Sequence, residues 1–215
     1  MVNKTYDQYC GIAAALDVVG DRWTLLVLRE LSFGQQRFTD LRSGLPGIAS
    51  NLLSERLRTL EDAGLIEQRE LPAPAARMVY ALTESGQRIN PVLRSLAAFG
   101  LPFLTDPVDG RVRPRMAVFG SLGAVLSASG PADLALRMRF ELEGETLWLE
   151  LQDGRVVRPD RSAEPDLIIT GTAAALIDLC RGADLESLAP RLVVVGEQTA
   201  VAKFRGALPA LVTAP

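Results

Sequence analysis

The side chains best suited to chemistry in this sequence are hydrogen-bonding groups on one face of a predicted helix. Asn51, Ser54 and Arg58 lie within two turns of one another, in a segment that runs from about Ser50 to Ala63 and ends at Gly64. An amide, a hydroxyl and a guanidinium can bind base edges and phosphates when such a helix lies in a major groove. An ordinary helical hairpin with a solvated outer face would show the same pattern, so this segment alone leaves both interpretations open.

The apolar residues on the other side of the same segment predict which face of the helix packs against the rest of the domain. Ala49, Leu53, Leu57 and Leu60 recur at helical spacing and are expected to face inward. A shorter helix over residues 37–43 precedes them. The Gly-Leu-Pro-Gly loop between the two helices provides a sharp turn, because glycine admits positive φ and proline fixes its own φ.

A two-stranded hairpin is predicted directly after these helices. Residues 65–71 and 78–82 are extended runs, and the proline-rich connection from Pro72 to Arg77 excludes a helix between them. A hairpin at this place makes the motif a winged helix-turn-helix. Arg77 is the basic residue near the tip of this wing, so the wing is weakly basic and the preceding helix is expected to do most of the reading of DNA.

Two apolar helices are predicted before this motif. Residues 9–19 form a short one, and residues 22–31 form one that is apolar almost all round. Asp21 follows the helix breaker Gly20 and is expected to cap the second helix. That helix should therefore be the buried centre of the first domain.

A long apolar helix is predicted after the hairpin. Thr83 can cap a helix from Glu84 to about Leu104, which Pro91 should kink or restart. Its apolar residues exceed what one small domain needs to bury. We favour pairing with the N-terminal helix in a homodimer, and the alternative is packing on the C-terminal half.

The composition excludes several kinds of catalytic and metal-binding site. Its 215 residues contain no histidine, which excludes Ser-His-Asp triads, Cys-His pairs and HExxH zinc sites. The sequence has no phosphate-binding glycine loop and no clustered pair of carboxylates in an apolar setting, so we expect no enzyme, no metal and no cofactor. Neither a signal peptide nor a membrane-spanning run is predicted, and a cytoplasmic location is expected.

The net charge of −3 argues against a nucleic-acid partner only when it is taken globally. Residues 1–100 hold 11 Lys and Arg against 11 Asp and Glu, whereas residues 101–215 hold 12 against 15. The acidic excess therefore lies in the second half. A local basic face is enough for binding DNA, so double-stranded DNA remains an expected partner.

The first half also carries short motifs in a fixed order. They are Cys10, Gly20-x-x-Trp23-Thr24, Arg37-Phe38-x-x-Leu41, Leu45-Pro46-Gly47-Ile48, Leu53-x-x-Arg56-Leu57-x-x-Leu60-Glu61, Gly64-Leu65-Ile66 and Tyr80-x-Leu82-Thr83-x-x-Gly86. As a set, over about residues 9–104, they resemble the HxlR family of bacterial winged-helix regulators. The resemblance implies a homodimer on a pseudo-palindromic operator, with one recognition helix in each half-site.

The candidate DNA contacts are the exposed polar residues of this motif. Asn51 and Arg58 are expected to contact bases or phosphates, and the two serines are expected to contact phosphates near the helix start. Arg56 lies at the edge of the buried side, so we expect it to pair with Asp40 or Glu55 instead. The full set is Arg37, Ser50, Asn51, Ser54, Arg58 and Arg77.

Cys10 allows two interpretations. It resembles the N-terminal cysteine through which some members of that family sense electrophiles or oxidants. A free cysteine is also often a small buried packing residue. The N-terminus is poor in arginine and offers no obvious cause for a lowered pKa of the thiol, so the sequence favours packing over a redox sensor.

A second domain is predicted over residues 116–215, after a linker at residues 105–115 that follows a first domain of residues 1–104. A helix over residues 116–127 leads into two alternating strands, 134–142 and 146–152, with Trp148 on the polar side of the second. Further strands and two helices complete an α+β domain with an antiparallel sheet. The chain as a whole is therefore of the α+β class.

The order W-L-E-L-x-D-G…P-D-L-I-I-T-G…L-I-D-L-x-x-G…L-V-V-V-G-E…F in the second half resembles the sterol carrier protein type 2-like fold. The resemblance implies an apolar tunnel for lipids or other hydrophobic molecules. The candidate lining residues are Met138, Phe140, Trp148, Ile169, Leu176, Leu179 and Phe204. These periodic apolar residues are equally compatible with a plain core.

The sequence thus favours a DNA-binding transcriptional regulator with a hydrophobic small molecule as its effector. The alternative is a lipid or small-molecule carrier in which the winged helix mediates protein contacts.

Overall fold

The computed structural model describes residues 5–72, 77–105, 112–157 and 159–208. The chain divides into two units, Met1–Leu93 and Arg94–Pro215, and each has its own hydrophobic core. Most of the predicted linker, residues 106–111, lies outside the described residues. The predicted domain limits at 104 and 116 therefore remain a prediction.

The first unit consists of short helices followed by a hairpin. In chain order its elements are α1 (Gly11–Val19), α2 (Thr24–Ser32), α3 (Phe38–Gly44), α4 (Ser50–Asp62), β1 (Ile66–Glu70), β2 (Met78–Leu82), α5 (Glu84–Gln87) and the beginning of α6 (Asn90–Gly100). β1 and β2 pair antiparallel, with Ile66 opposite Leu82. The predicted winged helix-turn-helix is confirmed, and the wing tip, residues 73–76, lies outside the described residues.

The core of this unit forms between α2 and α4. Val27 and Leu28 of α2 are fully buried, as are Leu53 and Leu60 of α4. The prediction that Ala49 faces inward is wrong. Ala49 is the N-cap of α4 and has extended backbone angles, so its side chain leaves the helical series, and Ile48 is buried instead.

The prediction that Asp21 caps α2 is also wrong. The helix begins at Thr24, and its N-cap position is occupied by Trp23, whose φ of 78° lies in the left-handed region. Asp21 lies two residues before that position, too early for its carboxylate to act as the helix cap. Its carboxylate pairs with Arg56 of α4 instead.

The long helix predicted after the hairpin is interrupted. Thr83 caps α5, because its hydroxyl accepts a hydrogen bond from the Gly86 amide at 2.9 Å. The predicted restart near Pro91 is confirmed by α6, which begins at Asn90 and tolerates proline in its first turn. α6 then gives way to a 3₁₀ turn, Leu101–Phe103, so the predicted helix is divided into three pieces.

The second unit is a five-stranded sheet with helices. After a π-helical segment, Met116–Leu122, its elements are α7 (Gly123–Ser129), β3 (Leu136–Leu142), β4 (Glu145–Gln152), β5 (Arg155–Val157), β6 (Leu167–Gly171), α8 (Ala173–Cys180), β7 (Leu192–Gly196) and α9 (Gln198–Ala207). The strand order is β5-β4-β3-β6-β7. Asp153 and Gly154 both have positive φ, which confirms the tight turn predicted between β4 and β5.

The prediction of a wholly antiparallel sheet is wrong at its centre. β3 and β6 are parallel, with Met138 opposite Leu167, whereas the other neighbouring strands are antiparallel. Alternation of side chains has a period of two residues in both kinds of sheet, so the sequence pattern does not distinguish them.

Candidate nucleic-acid interface

The exposed face of α4 carries the predicted polar residues. Asn51, Ser54 and Arg58 are exposed, while Leu53 and Leu57 on the other face are buried. This division follows from the helical period, since residues three or four apart share a face.

The two strongest hydrogen-bonding groups on this face are available to a ligand. Within the described part of the chain, the side chains of Asn51 and Arg58 make neither a hydrogen bond nor an ion pair. Ser54 differs, because its hydroxyl donates to the Ser50 carbonyl at 3.0 Å. Its oxygen can still accept a hydrogen bond, but its proton is used inside the helix.

The N-terminus of α4 has an uncompensated positive end. The N-cap residue is Ala49, no described side chain caps the helix, and the first turn carries no acid. The amides of this turn therefore offer donors to an anion such as a phosphate. Ser50, the first residue of the helix, is half-buried there.

Arg37 and Arg77 lie outside α4. The Arg37 amide donates to the Asp40 carboxylate at 3.3 Å, and its guanidinium Nε lies 3.8 Å from the same group. Both side chains are exposed, so this ion pair is weak and Arg37 can exchange Asp40 for a phosphate. Arg77 is exposed just before β2, next to the wing tip, and Arg69 on β1 pairs with Glu67.

Arg56 is partly buried and forms ion pairs within the first unit. Its Nη1 lies 3.1 Å from the Glu55 carboxylate and 3.0 Å from that of Asp21. The predicted intramolecular pair is therefore confirmed for Glu55. It is wrong for Asp40, which pairs with Arg37 at the start of α3 instead.

The C-terminal end of α4 is tied to the segment that follows the wing. The Leu65 amide donates to the Leu60 carbonyl at 2.9 Å, and Gly64, with a φ of 68°, completes this helix-ending motif. The Thr83 hydroxyl donates to the Gly64 carbonyl at 2.7 Å and accepts from the Gly86 amide. One hydroxyl thus joins the end of α4 to the start of α5.

A contact that the sequence analysis missed joins the wing to α2 and α3. Gln36 and Tyr80 exchange two backbone hydrogen bonds, of 3.0 and 2.7 Å, as an isolated antiparallel bridge. The Gln36 side chain also donates to the Glu30 carbonyl at 2.6 Å. A single bridging residue has no periodicity, so no pattern in the sequence could have indicated it.

Comparison with known proteins places this arrangement in a family. Residues 18–107 match the model of the HxlR-like helix-turn-helix family. YvaP of Bacillus subtilis, an uncharacterized HTH-type transcriptional regulator, is 32% identical over 93 residues, which make up 43% of this chain and 85% of YvaP. The chain belongs to the HxlR-like helix-turn-helix family.

Further comparisons also match less than half of this chain. The uncharacterized HTH-type transcriptional regulator sll1512 of Synechocystis sp. is 39% identical over 95 residues, 44% of this chain and 70% of that protein. The solved structure of the reduced form of the transcriptional regulator YodB from B. subtilis has 28% identity and a TM-score of 0.40, covering 47% of this chain and 100% of YodB.

Within the described residues, no helix is long and apolar enough to cross a membrane.

Cys10 of this HxlR-like chain is exposed at the start of α1. The prediction that it is a buried packing residue is therefore wrong. The backbone amides of Ala13 and Ile12 stabilise the thiolate and lower the pKa of Cys10 from its ordinary value. The sequence did not indicate this, because the stabilising donors are backbone groups at a helix start and not charged side chains.

The candidate pocket residues of the second unit do not all lie together. Six of them belong to one hydrophobic cluster and are at most 2% exposed; they are Met138, Phe140, Ile169, Leu176, Leu179 and Phe204. Trp148 lies on the other face of the sheet, half-buried and opposite Arg139. Trp148 therefore cannot line one pocket with the other six.

Proposed function

We propose that this chain is a transcriptional regulator that binds double-stranded DNA through α4, as a homodimer on a pseudo-palindromic operator. The observation that carries the proposal is the outer face of α4, where Asn51 and Arg58 are exposed and have no partner within the described residues. An amide and a guanidinium presented by a recognition helix are the groups that read base edges in a major groove. Arg37, Ser50, Ser54 and Arg77 would contact the DNA backbone.

A homodimer is supported by apolar side chains that the described residues leave exposed. Tyr9 and Ile12 near the N-terminus are more than 70% exposed, and Val92, Leu96 and Phe99 of α6 are 45–70% exposed. A monomer would leave these side chains in water, whereas a second copy could bury them. Phe99→Glu should therefore convert a dimer to a monomer, as measured by native mass spectrometry.

The same measurement addresses the effector. We propose that the second unit holds a hydrophobic small molecule against the inner face of its sheet, as the sterol carrier-like resemblance implies. Six candidate residues belong to one buried apolar cluster, three of them on the sheet and three on α8 and α9. A ligand that co-purifies with the protein would appear as added mass in the native spectrum.

Binding to the promoter next to its own gene tests the main proposal. Affinity, measured by fluorescence anisotropy, should fall steeply as salt rises, because phosphate contacts release counterions. Arg58→Ala should weaken binding by about 5- to 150-fold, since a base-reading arginine contributes about 1–3 kcal/mol. Arg88→Ala is the matched control, because Arg88 is also exposed but lies at the end of α5.

Salt-independent binding, or an unchanged affinity in Arg58→Ala, would contradict the proposal. No binding at low salt would instead favour the alternative, a lipid or small-molecule carrier in which the winged helix mediates protein contacts.

A further inference from the structure

Arg56 is nearly buried although it belongs to the recognition helix. Its side chain is 12% exposed. Its Nη1 pairs with the carboxylate of Asp21 at 3.0 Å, and its Nε donates to the carbonyl of Arg22 at 3.2 Å. One guanidinium therefore binds a side chain and a backbone group of the same turn, the connection between α1 and α2.

That turn is itself firmly fixed. A side chain at Gly20 would place its Cβ 2.4 Å from the Leu16 carbonyl oxygen, so glycine is required there. Trp23 holds a left-handed φ of 78°, a conformation that persists only where the surroundings determine it. The guanidinium of Arg22 lies over the Trp23 ring, 5.7 Å from its centre.

The Trp23 ring also reaches the turn between the two helices of the motif. Its Cη2 lies 3.9 Å from the place that a Cβ on Gly47 would occupy. The connection between α1 and α2 thus binds α4 through Arg56, and its Trp23 ring lies close to the loop before α4. The two side chains lie on either side of the N-terminal half of α4.

Because of the position of Arg56 on α4, these contacts restrain rotation of the helix about its own axis. Residues two apart on an α-helix project about 160° from each other, so Arg56 and Arg58 point to nearly opposite sides. A rotation of α4 by about 20° would move side-chain atoms about 5–6 Å from the axis by about 2 Å. That shift breaks a hydrogen bond and moves Arg58 out of register with a base edge.

We propose that Arg56 is a positioning residue for DNA reading, which fixes the rotation of α4 against the Asp21–Trp23 turn so that Asn51 and Arg58 meet the base edges. This inference rests on the proposed DNA-binding function. It differs from a phosphate contact, which would act on every DNA sequence equally. It also differs from a general role in stability, which would not separate specific from non-specific DNA.

The test uses the full chain and two duplexes of equal length, the fragment next to its own gene and a random sequence. Arg56→Met keeps the aliphatic stem, Arg56→Lys keeps the charge, and Asp21→Asn keeps the shape of the partner. Arg58→Met represents a contact residue, and Arg88→Met is the control. Affinities are measured by fluorescence anisotropy at several salt concentrations, and amide hydrogen exchange is measured on the same proteins.

Arg56→Met should lose about 10- to 100-fold in affinity for the specific duplex. Its affinity for the random duplex and its salt dependence should not change, because the phosphate contacts remain. Arg56→Lys and Asp21→Asn should lose less, since each keeps part of the contact. Arg58→Met, at a residue proposed to read a base, should also lose affinity for the specific duplex, but it should leave hydrogen exchange in residues 20–28 unchanged.

Hydrogen exchange gives a readout that needs no DNA. Arg56→Met should speed exchange in residues 20–28 and in the first half of α4 together, whereas Arg88→Met should not. An equal loss on both duplexes, a reduced salt slope, or unchanged exchange in the turn would overturn the positioning role. If the unmodified protein binds neither duplex, the proposed function fails, and exchange alone decides whether Arg56 fixes α4. If Arg56→Met does not fold, Asp21→Asn decides the same comparison.

Discussion

Gly86→Ala should destabilise the first unit, because the added methyl group would collide with the backbone of Leu65, just after α4. A Cβ on Gly86 would lie 1.9 Å from the carbonyl oxygen of Leu65, whereas real contacts of this kind stay beyond 3.0 Å. The two segments would therefore have to separate by about 1 Å, and both neighbours are backbone, which cannot turn aside. The Leu65 carbonyl also accepts the Thr83 amide at 3.0 Å, so the separation affects that bond directly.

The magnitude follows from three losses at this site. The backbone hydrogen bond contributes about 1 kcal/mol, and the Thr83 cap contributes about 1 kcal/mol. Forcing the extra methyl group into a packed site costs about 1–3 kcal/mol. Partial relaxation makes these losses less than additive, and we expect a loss of about 3 kcal/mol in the free energy of unfolding. For a unit of this size, that lowers Tm by about 10–20 °C.

The assay has to report on the first unit alone. The chain has two tryptophans, Trp23 in the first unit and Trp148 in the second, so Trp148→Phe leaves Trp23 as the probe. Urea unfolding in this background gives the free energy. Gly11→Ala is the matched control, because a Cβ there meets nothing within 4 Å and alanine favours a helix. A loss below about 0.5 kcal/mol in Gly86→Ala would refute the reasoning, since that is the range of neutral surface changes.

Three further predictions concern other sites. Iodoacetamide should label the exposed Cys10 of the native protein faster than an unperturbed thiol near neutral pH, because the pKa of Cys10 is lowered. The buried Cys180 should stay unlabelled until the protein unfolds, and mass spectrometry counts the labels. The hydrogen bond from Arg137 holds the pKa of Glu150 below its usual 4.5. This carboxylate therefore stabilises the folded protein above about pH 4.5 and loses that effect as the pH falls through the folded pKa. A plot of Tm against pH should fall less steeply in acid for Glu150→Gln than for the unmodified protein. Phe204→Ala should cost about 3–5 kcal/mol in urea unfolding followed through Trp148, because the ring is fully buried, and an unchanged midpoint would show that the site collapses without loss.

The sequence predicted those features of the first unit that have a local cause. Leu53, Leu57 and Leu60 follow the helical period and are buried, and Gly64 and Thr83 act at helix ends through bonds to near neighbours. Contacts between distant segments were not predictable in this way. Asp21 looked like a cap, but the helix begins at Thr24, and the Asp21 carboxylate pairs with Arg56, which lies 35 positions later.

The same limit applies to the polar face of the second unit's sheet. Arg137 and Glu150 alternate with buried leucine and methionine residues and point away from the apolar face, as expected for the two alternating strands. This alternation did not indicate that Glu150 is 4% exposed and accepts hydrogen bonds from Arg137 at 3.0 Å and from the Asp160 amide at 2.9 Å. The loop after β5 supplies that amide and leads to β6, which pairs parallel with β3. Period-two alternation carries no information about that pairing.

Alternation also leaves open whether an inward face is filled or hollow, and here the structure constrains how an effector could bind. Met138, Phe140, Ile169 and Phe204 have no accessible surface, so no water-sized space borders them. A hydrophobic effector must therefore bind a form in which the helices have moved from the sheet. Its apparent affinity would then be reduced by the fraction of molecules in that open form. Amide exchange in α8 measures that fraction, and a ligand that binds there should slow the exchange in proportion to its concentration.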